Sequence, residues 1–307
     1  MKKGLILGKA ALALFCAALT FTACEAPDDD KIPTGKDNTS GTNANINPST
    51  IADYLRLEFP HVKNDGNSFV IVHKTDAYGV NYSIEWDPTM RAQRWSCYEM
   101  YNGNSATNTS RYYGDPQYPN DADMDSNFYF SDPYWSSGYE HGHICPSADR
   151  LCSAAANKQT FYLTNMQPQI HEFNAYDDNG VSYIWNTMEN KVRSLNKSSF
   201  RDILYVCKGG TIDNGNIIKY IPSSTATNRI PVPKYFFVAL LCEKDGQFKA
   251  LGLWFEHKSN SDTNLKNYAV SIDRLEQLTG IDFFCNLSDD IENKVEATVD
   301  VSAWNLN

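Results

Sequence analysis

Tyr139-Glu140-His141-Gly142-His143-Ile144-Cys145-Pro146-Ser147-Ala148-Asp149-Arg150, followed after ten residues by Phe161-Tyr162-Leu163-Thr164-Asn165-Met166-Gln167-Pro168-Gln169, is the stretch on which the reading of this chain turns. Two titratable rings flank a glycine and the segment runs on into Cys-Pro-Ser, so it reads as a strand end entering a loop, where reactive groups are commonly displayed on a rigid frame. A neutral imidazole can take a proton from water near pH 7 and remain a competent acid afterwards. His143 is therefore a candidate general base, although a histidine beside glycine, taken alone, satisfies local hydrogen bonds just as well.

The residues downstream sharpen this. Asn165 is followed by Asn174 in Gln169-Ile170-His171-Glu172-Phe173-Asn174, and then by Trp185-Asn186-Thr187-Met188-Glu189-Asn190-Lys191-Val192-Arg193. At helical spacing Trp185, Met188 and Val192 form an apolar stripe that reads as core, with Glu189 and Arg193 one helical turn apart on the neighbouring face. A carboxamide oxygen is a poor sole ligand for zinc but suits a hard cation that keeps most of its waters, as magnesium does. An asparagine with a histidine base points to magnesium-assisted phosphodiester cleavage.

Glu140-His141-Gly142-His143, Asn165-Met166-Gln167-Pro168-Gln169, Phe173-Asn174 and Trp185-Asn186-Thr187-Met188-Glu189 resemble the Asp-Arg-Gly-His, Asn-x-x-Pro-Gln, Phe-Asn and Trp-x-x-Leu-Glu elements of the DNA/RNA non-specific endonucleases. These are the ββα-metal or His-Me finger nucleases, which include endonuclease G. More loosely, the likeness runs over residues 69–297. The resemblance implies that His143 activates water and that Asn174 is the direct ligand of magnesium, or of manganese in its place. It further implies that Glu189 holds water on the metal and that Arg111 steadies charge on phosphorus. Arg193 would lie near the phosphate or brace its helix, and Glu140 and His141 would face the substrate backbone. DNA and RNA are the implied substrates and 5′-phosphate ends the implied products. There are two departures. His141 replaces a permanently charged, five-donor guanidinium by a titratable ring. Residues 175–181, with Asp-Asn-Gly turn chemistry, form an insert between Asn174 and Glu189.

Two other classes compete. On a strand, residues two apart point to the same side, so His141 and His143 could share zinc in a metallohydrolase, with His171 or Glu140 as a third ligand. Alternatively, the motif is degenerate and the chain is a catalytically inactive surface-binding lipoprotein that uses its aromatic side chains as a platform.

The N-terminus bears on compartment. Lys2 and Lys3 precede an apolar run over residues 10–23 that is too short for a convincing membrane span and reads as an export signal, 1–23. Leu19-Thr20-Phe21-Thr22-Ala23-Cys24 resembles a lipoprotein processing site, which predicts a lipid anchor on Cys24 at the outer membrane or cell surface. Residues 24–50, rich in Asp, Asn, Thr, Gly and Pro, read as a flexible tether, and 51–307 as the catalytic domain. Of 27 basic and 37 acidic residues in the whole chain, the signal takes three lysines, leaving a mature net charge of −13. Static nucleic-acid binders usually carry a basic face, whereas an enzyme needs only a local positive groove. Six cysteines follow Cys24, and in an exported chain an even count suggests disulfides, with a Cys145–Cys152 bridge able to stiffen the motif loop. A protein inhibitor and a homodimer are open partner expectations.

Residues 69–73, 82–86, 95–100, 203–207, 235–241 and 250–255 are rich in β-branched and aromatic side chains and predict strands; 270–278 predicts a helix. With helices after the motif and length for one substantial core, the expected fold is α+β: a central antiparallel sheet flanked by helices, with a ββα-metal finger.

Overall fold

The computed structural model describes residues 41–48, 50–222 and 229–306; the expected export signal, Cys24 and the tether up to residue 40 lie outside the described residues. Its centre is a seven-stranded sheet. The strands β1 (Phe69–Thr75), β2 (Gly79–Asp87) and β3 (Ala92–Met100) form a meander, and β6 (Ile203–Gly210) pairs with β3 and with β9 (Tyr235–Lys244). From β9 the chain turns through Asp245 and Gly246 into β10 (Gln247–Glu256), whose far edge carries the short β11 (Ala269–Val270). Every pairing is antiparallel. The six strands expected from sequence all fall in this sheet.

Period-two alternation then separates two cores. Tyr98, Leu204, Val206, Phe236, Val238 and Leu240 point to one face, where they pack with Phe173, Trp185, Met188 and Val192 from the segments that follow the motif. Cys97, Tyr205, Cys207, Phe237, Ala239 and Leu241 point to the other, against Ile272 and Leu275 of α4 (Ile272–Thr279) and Val295 of α5 (Asp289–Glu296). The central strands are covered on both sides, so they read as near-continuous apolar runs. Among the described residues no helix is long and apolar enough to cross a membrane.

Two expectations change here. The folded body begins ahead of residue 51. Asn47 is fully buried, donating to Pro60 O (2.9 Å) and accepting from Val62 N–H (2.9 Å). Asn43 donates to the carbonyls of Cys285 and Leu287, and Asn45 donates to Asp282 and Glu292. This stretch looks like linker because it lacks apolar side chains; carboxamides fix it instead. Also, the six cysteines described are buried free thiols and the Cys145–Cys152 bridge is not formed. The sheet divides them: Cys145 and Cys242 belong to one core, Cys97 and Cys207 to the other. Burial pushes their thiols up, Cys145 to about 12 and Cys242 to about 11.

Candidate active site

The motif forms a two-stranded finger standing on the first core. β4 (Glu140–His143) pairs antiparallel with β5 (Met166–Gln169), Gly142 opposite Gln167 and His143 opposite Met166. A Cβ at Gly142 would lie 2.4 Å from the Gln169 side chain and 2.6 Å from Gln167 O, so only glycine allows this approach. Asn165 clamps the loop beyond the finger: its Oδ1 accepts from Cys145 N–H (2.9 Å) and its Nδ2 donates to Cys145 O (2.8 Å) and Thr160 O (2.7 Å). Gln167 donates to Gln93 O (3.0 Å) and accepts from Gly210 N–H (2.6 Å), which fastens the finger to the main sheet. The Asn-x-x-Pro-Gln element is thus scaffolding.

α1 (Ala154–Gln159) lies between the two strands, and after β5 come α2 (His171–Asn174) and α3 (Ile184–Leu195), completing ββα. The insert between them is pinched off at its base. Tyr183 N–H donates to Ala175 O (2.9 Å), Tyr176 bridges Ser182, and Asp177 accepts the N–H groups of Asn179 and Val181. Asn174 and Glu189 therefore remain neighbours of one cavity in spite of the insertion. That cavity, an open cleft of about 480 Å³, is lined by Arg111, Glu140, His141, His143, Asn174, Glu189 and Arg193, the seven residues singled out from sequence.

Within it the polar atoms are sorted. His143 Nδ1 faces His141 O (3.3 Å), and a carbonyl can only accept, so this nitrogen carries the proton. Nε2 is left with its lone pair, sealed from solvent and without a partner. Burial first, and then the Arg111 guanidinium, lower the His143 pKa to about 3, which keeps the ring neutral. Arg111 itself lies over the Phe161 ring, 4.7 Å from its centroid. Asn174 Nδ2 donates to Glu140 Oε2 (2.8 Å), whose Oε1 holds His171 Nδ1 (2.6 Å). Among the described residues no donor reaches Asn174 Oδ1, so the amide is oriented with its ligand atom free. Burial raises the Glu189 pKa. Arg193 braces α3 against the motif loop, donating to Asp149 Oδ1 (3.0 Å) and Asn190 Oδ1 (2.8 Å). His141 is held by Asp132 (2.9 Å) and sandwiched between Tyr118 (3.7 Å between centroids) and Tyr134 (4.1 Å).

A partnerless carboxamide oxygen and a largely buried carboxylate on one cleft fit a hard, hydrated divalent cation better than zinc. The zinc arrangement finds no support. His141 Nε2 is committed to Asp132, and neither cluster of His, Cys, Asp or Glu close enough to share an ion among the described residues contains His141 or His143. One of these clusters, His73, Asp121 and Asp123, lies outside the cleft, with His73 buried against Asp121 (2.9 Å).

Sequence reasoning missed Lys208. It is fully buried in β6, its Nζ without a hydrogen-bond partner and 5.5 Å from the centroids of Tyr98 and Trp185, and burial lowers its pKa against the opposing pull of Glu189 and Asp149. A lone lysine in a predicted strand gives no signal of this. Tyr118 and Asp132 were equally invisible, since nothing in the chain order pairs them with His141.

Comparison with known proteins places this geometry in a lineage. The family profile described as DNA/RNA non-specific endonuclease matches residues 67–290. A nuclease of Nostoc sp. is 30% identical over 176 residues, covering 54% of this chain and 58% of its own, and human mitochondrial endonuclease G is 29% identical over 162 residues, covering 50% and 51%. The chain thus spans between about half and three fifths of the length of these curated relatives. A chain from the crystal structure of the EndoG/EndoGI complex superposes with a TM-score of 0.54 at 22% identity, over 72% of this chain and 88% of that one, a match of fold. With a profile match over most of its length, a ββα finger and a large antiparallel sheet, the chain belongs to the DNA/RNA non-specific endonuclease family.

Proposed function

We propose that this protein is a metal-dependent, sugar-non-specific endonuclease that hydrolyses phosphodiester bonds of DNA and RNA and leaves 5′-phosphate ends. The observation that carries the reading is the pairing of a neutral, partnerless His143 Nε2 with an Asn174 Oδ1 turned free by Glu140, in one cleft that also holds Arg111 and Arg193. His143 Nε2 takes the proton from a water as its oxygen forms the new bond to phosphorus, and the bond to the 3′ oxygen breaks. Arg111 offers charge to the phosphate oxygens, while Asp149 and Glu189 hold Arg193 at the cleft wall. Asn174, with Glu189 on the same cleft, would hold a magnesium or manganese ion, which would supply positive charge to the leaving 3′ oxygen. The mature net charge of −13 favours turnover over tight retention.

Export, and lipid attachment at Cys24 to the outer membrane or cell surface, belong to the same proposal and rest on the sequence alone. Incubation of the purified chain with plasmid and with RNA, in magnesium and in chelator, tests the activity. Magnesium-dependent cutting of both is expected, with His143→Ala slower by roughly 10²–10⁴-fold. Absence of metal-dependent cutting, or full activity in His143→Ala, defeats the assignment. Activity kept by Asn174→Ala but lost on replacing His141 and His171 together would revive the zinc reading.

A further inference from the structure

On the face of the sheet opposite the finger, α4 and α5 flank an open groove of about 430 Å³ lined by six carboxylates: Asp273, Glu276, Asp282, Asp289, Glu292 and Glu296. Helical spacing creates it. Asp273 and Glu276 are one turn apart on α4, and Glu292 and Glu296 one turn apart on α5, so two acidic stripes face each other. Among the described residues no lysine or arginine pairs with any of the six. The His61 ring acts on Asp282 electrostatically, opposing the effect of burial.

Backbone and amide donors satisfy part of the ring. Phe283 N–H reaches Glu276 Oε1 (2.8 Å), Ala44 N–H reaches Asp289 Oδ1 (3.0 Å), and Asn45 Nδ2 reaches both Asp282 and Glu292 Oε1 (2.9 Å). Of the two carboxylates without such a donor, Asp273 is exposed to water and Glu296 is not. Only 5% of Glu296 is exposed, it lines the groove, and its Oε1 is buried with no partner. A buried, unpartnered carboxylate costs several kcal/mol unless a proton or a cation neutralises it. Its ligand atom and those of Asp273 and Glu276 lie within 4.8 Å of one another. That spacing lets three oxygens converge on one ion with coordination lengths of about 2.3–2.6 Å.

We infer that Asp273, Glu276 and Glu296 form a structural calcium site, completed by neighbouring carboxylates and water, that ties α4 to α5 and to the segment around Asn45. Calcium fits better than magnesium, because it accepts six to eight oxygens in irregular geometry, whereas magnesium prefers to keep its waters. The titration of the same groups agrees with the geometry. Burial and mutual repulsion raise Glu276 and Glu292 to about 7 and Glu296 to about 10, so a cation competes with protons the cluster otherwise retains. The site lies on the other face of the sheet from the cleft and does not depend on the nuclease reading.

The test is calcium titration of the full chain by calorimetry, with thermal melts at pH 8 in calcium and in chelator. Wild type should bind one calcium outside the cleft and melt roughly 5 °C higher at concentrations about a hundredfold above Kd. Asn174→Ala, which disables only the cleft, should keep both effects. Glu296→Gln should lose them, melt in chelator at or above wild type because folding no longer has to neutralise a buried carboxylate, and retain magnesium-dependent cutting. Asp273→Asn, exposed and tolerant of folding, should bind calcium at least tenfold more weakly. No calcium effect in wild type, or an undiminished one in Glu296→Gln or Asp273→Asn, overturns the inference. Failure of the cutting assay leaves it standing.

Discussion

Replacing Glu140 by alanine should weaken the metal requirement of the cleft without removing its base. The Glu140 carboxylate receives Asn174 Nδ2 at 2.8 Å and His171 Nδ1 at 2.6 Å, so it fixes which way the Asn174 amide points. Partners that orient a metal ligand are worth about 10–100-fold in metal affinity or activity. The Glu140 side chain is 37% exposed and water screens part of its charge, which places the expectation near tenfold, about 1.4 kcal/mol. The assay is the rate of plasmid nicking against magnesium concentration. Glu140→Ala should raise the half-saturating magnesium about tenfold while the plateau rate stays near wild type, and Glu140→Gln, which keeps an acceptor for Asn174, should shift it less. His171→Ala removes only the outer arm and should fall between Gln and wild type. Unchanged half-saturation in Glu140→Ala would refute the argument, as would a plateau that collapses as far as that of His143→Ala.

Other expectations follow from buried groups. Gly142→Ala forces a methyl into the Gln169 side chain and Gln167 O, so Tm and cutting should fall together by the roughly 1–3 kcal/mol of overpacking; an unaffected melt would show that the finger yields freely. His257 donates from Nδ1 to Pro233 O and accepts Ile170 N–H at Nε2, and burial lowers its pKa to about 4. Its folded pKa lies below the unfolded value, so its contribution is present above about pH 6.5 and lost as pH falls towards 4. Melts of wild type should show that loss and those of His257→Phe a flatter profile from a lower start; parallel profiles would exclude His257 as the source. Lys208→Met withdraws the foremost positive neighbour of Glu189, so the acidic limb of the rate profile should move to higher pH with the fold intact; an unmoved limb would separate Lys208 from the site.

The finger was legible because its parts are local. His141-Gly142-His143, the Asn165–Gln169 element and the α3 stripe are each fixed by neighbours a few residues away, and period two or 3.6 exposes them. What escaped was of another kind. The paired strands β7 (Ile217–Ile221) and β8 (Ile230–Pro233) were hidden by the prolines at 231 and 233, which argue against a strand, and α5 by a composition that reads as solvated surface. The asparagines at 43, 45 and 47 imitate linker, because hydrogen bonds to partners some 240 residues away leave no trace in local patterning.

Sequence by itself pointed to the family and to six of the seven strands of the large sheet, and singled out seven residues that line one cleft, because covalent order and short-range periodicity encode them. Only the tertiary structure decided how those side chains are tuned. The free Nε2 of His143, the turned amide of Asn174, the aromatic cage of His141, the lysine beneath Glu189 and the acidic pocket behind the sheet all arise where distant segments meet and water is excluded. Hydrogen bonding and burial at such junctions are properties of packing, and the linear chain does not state them.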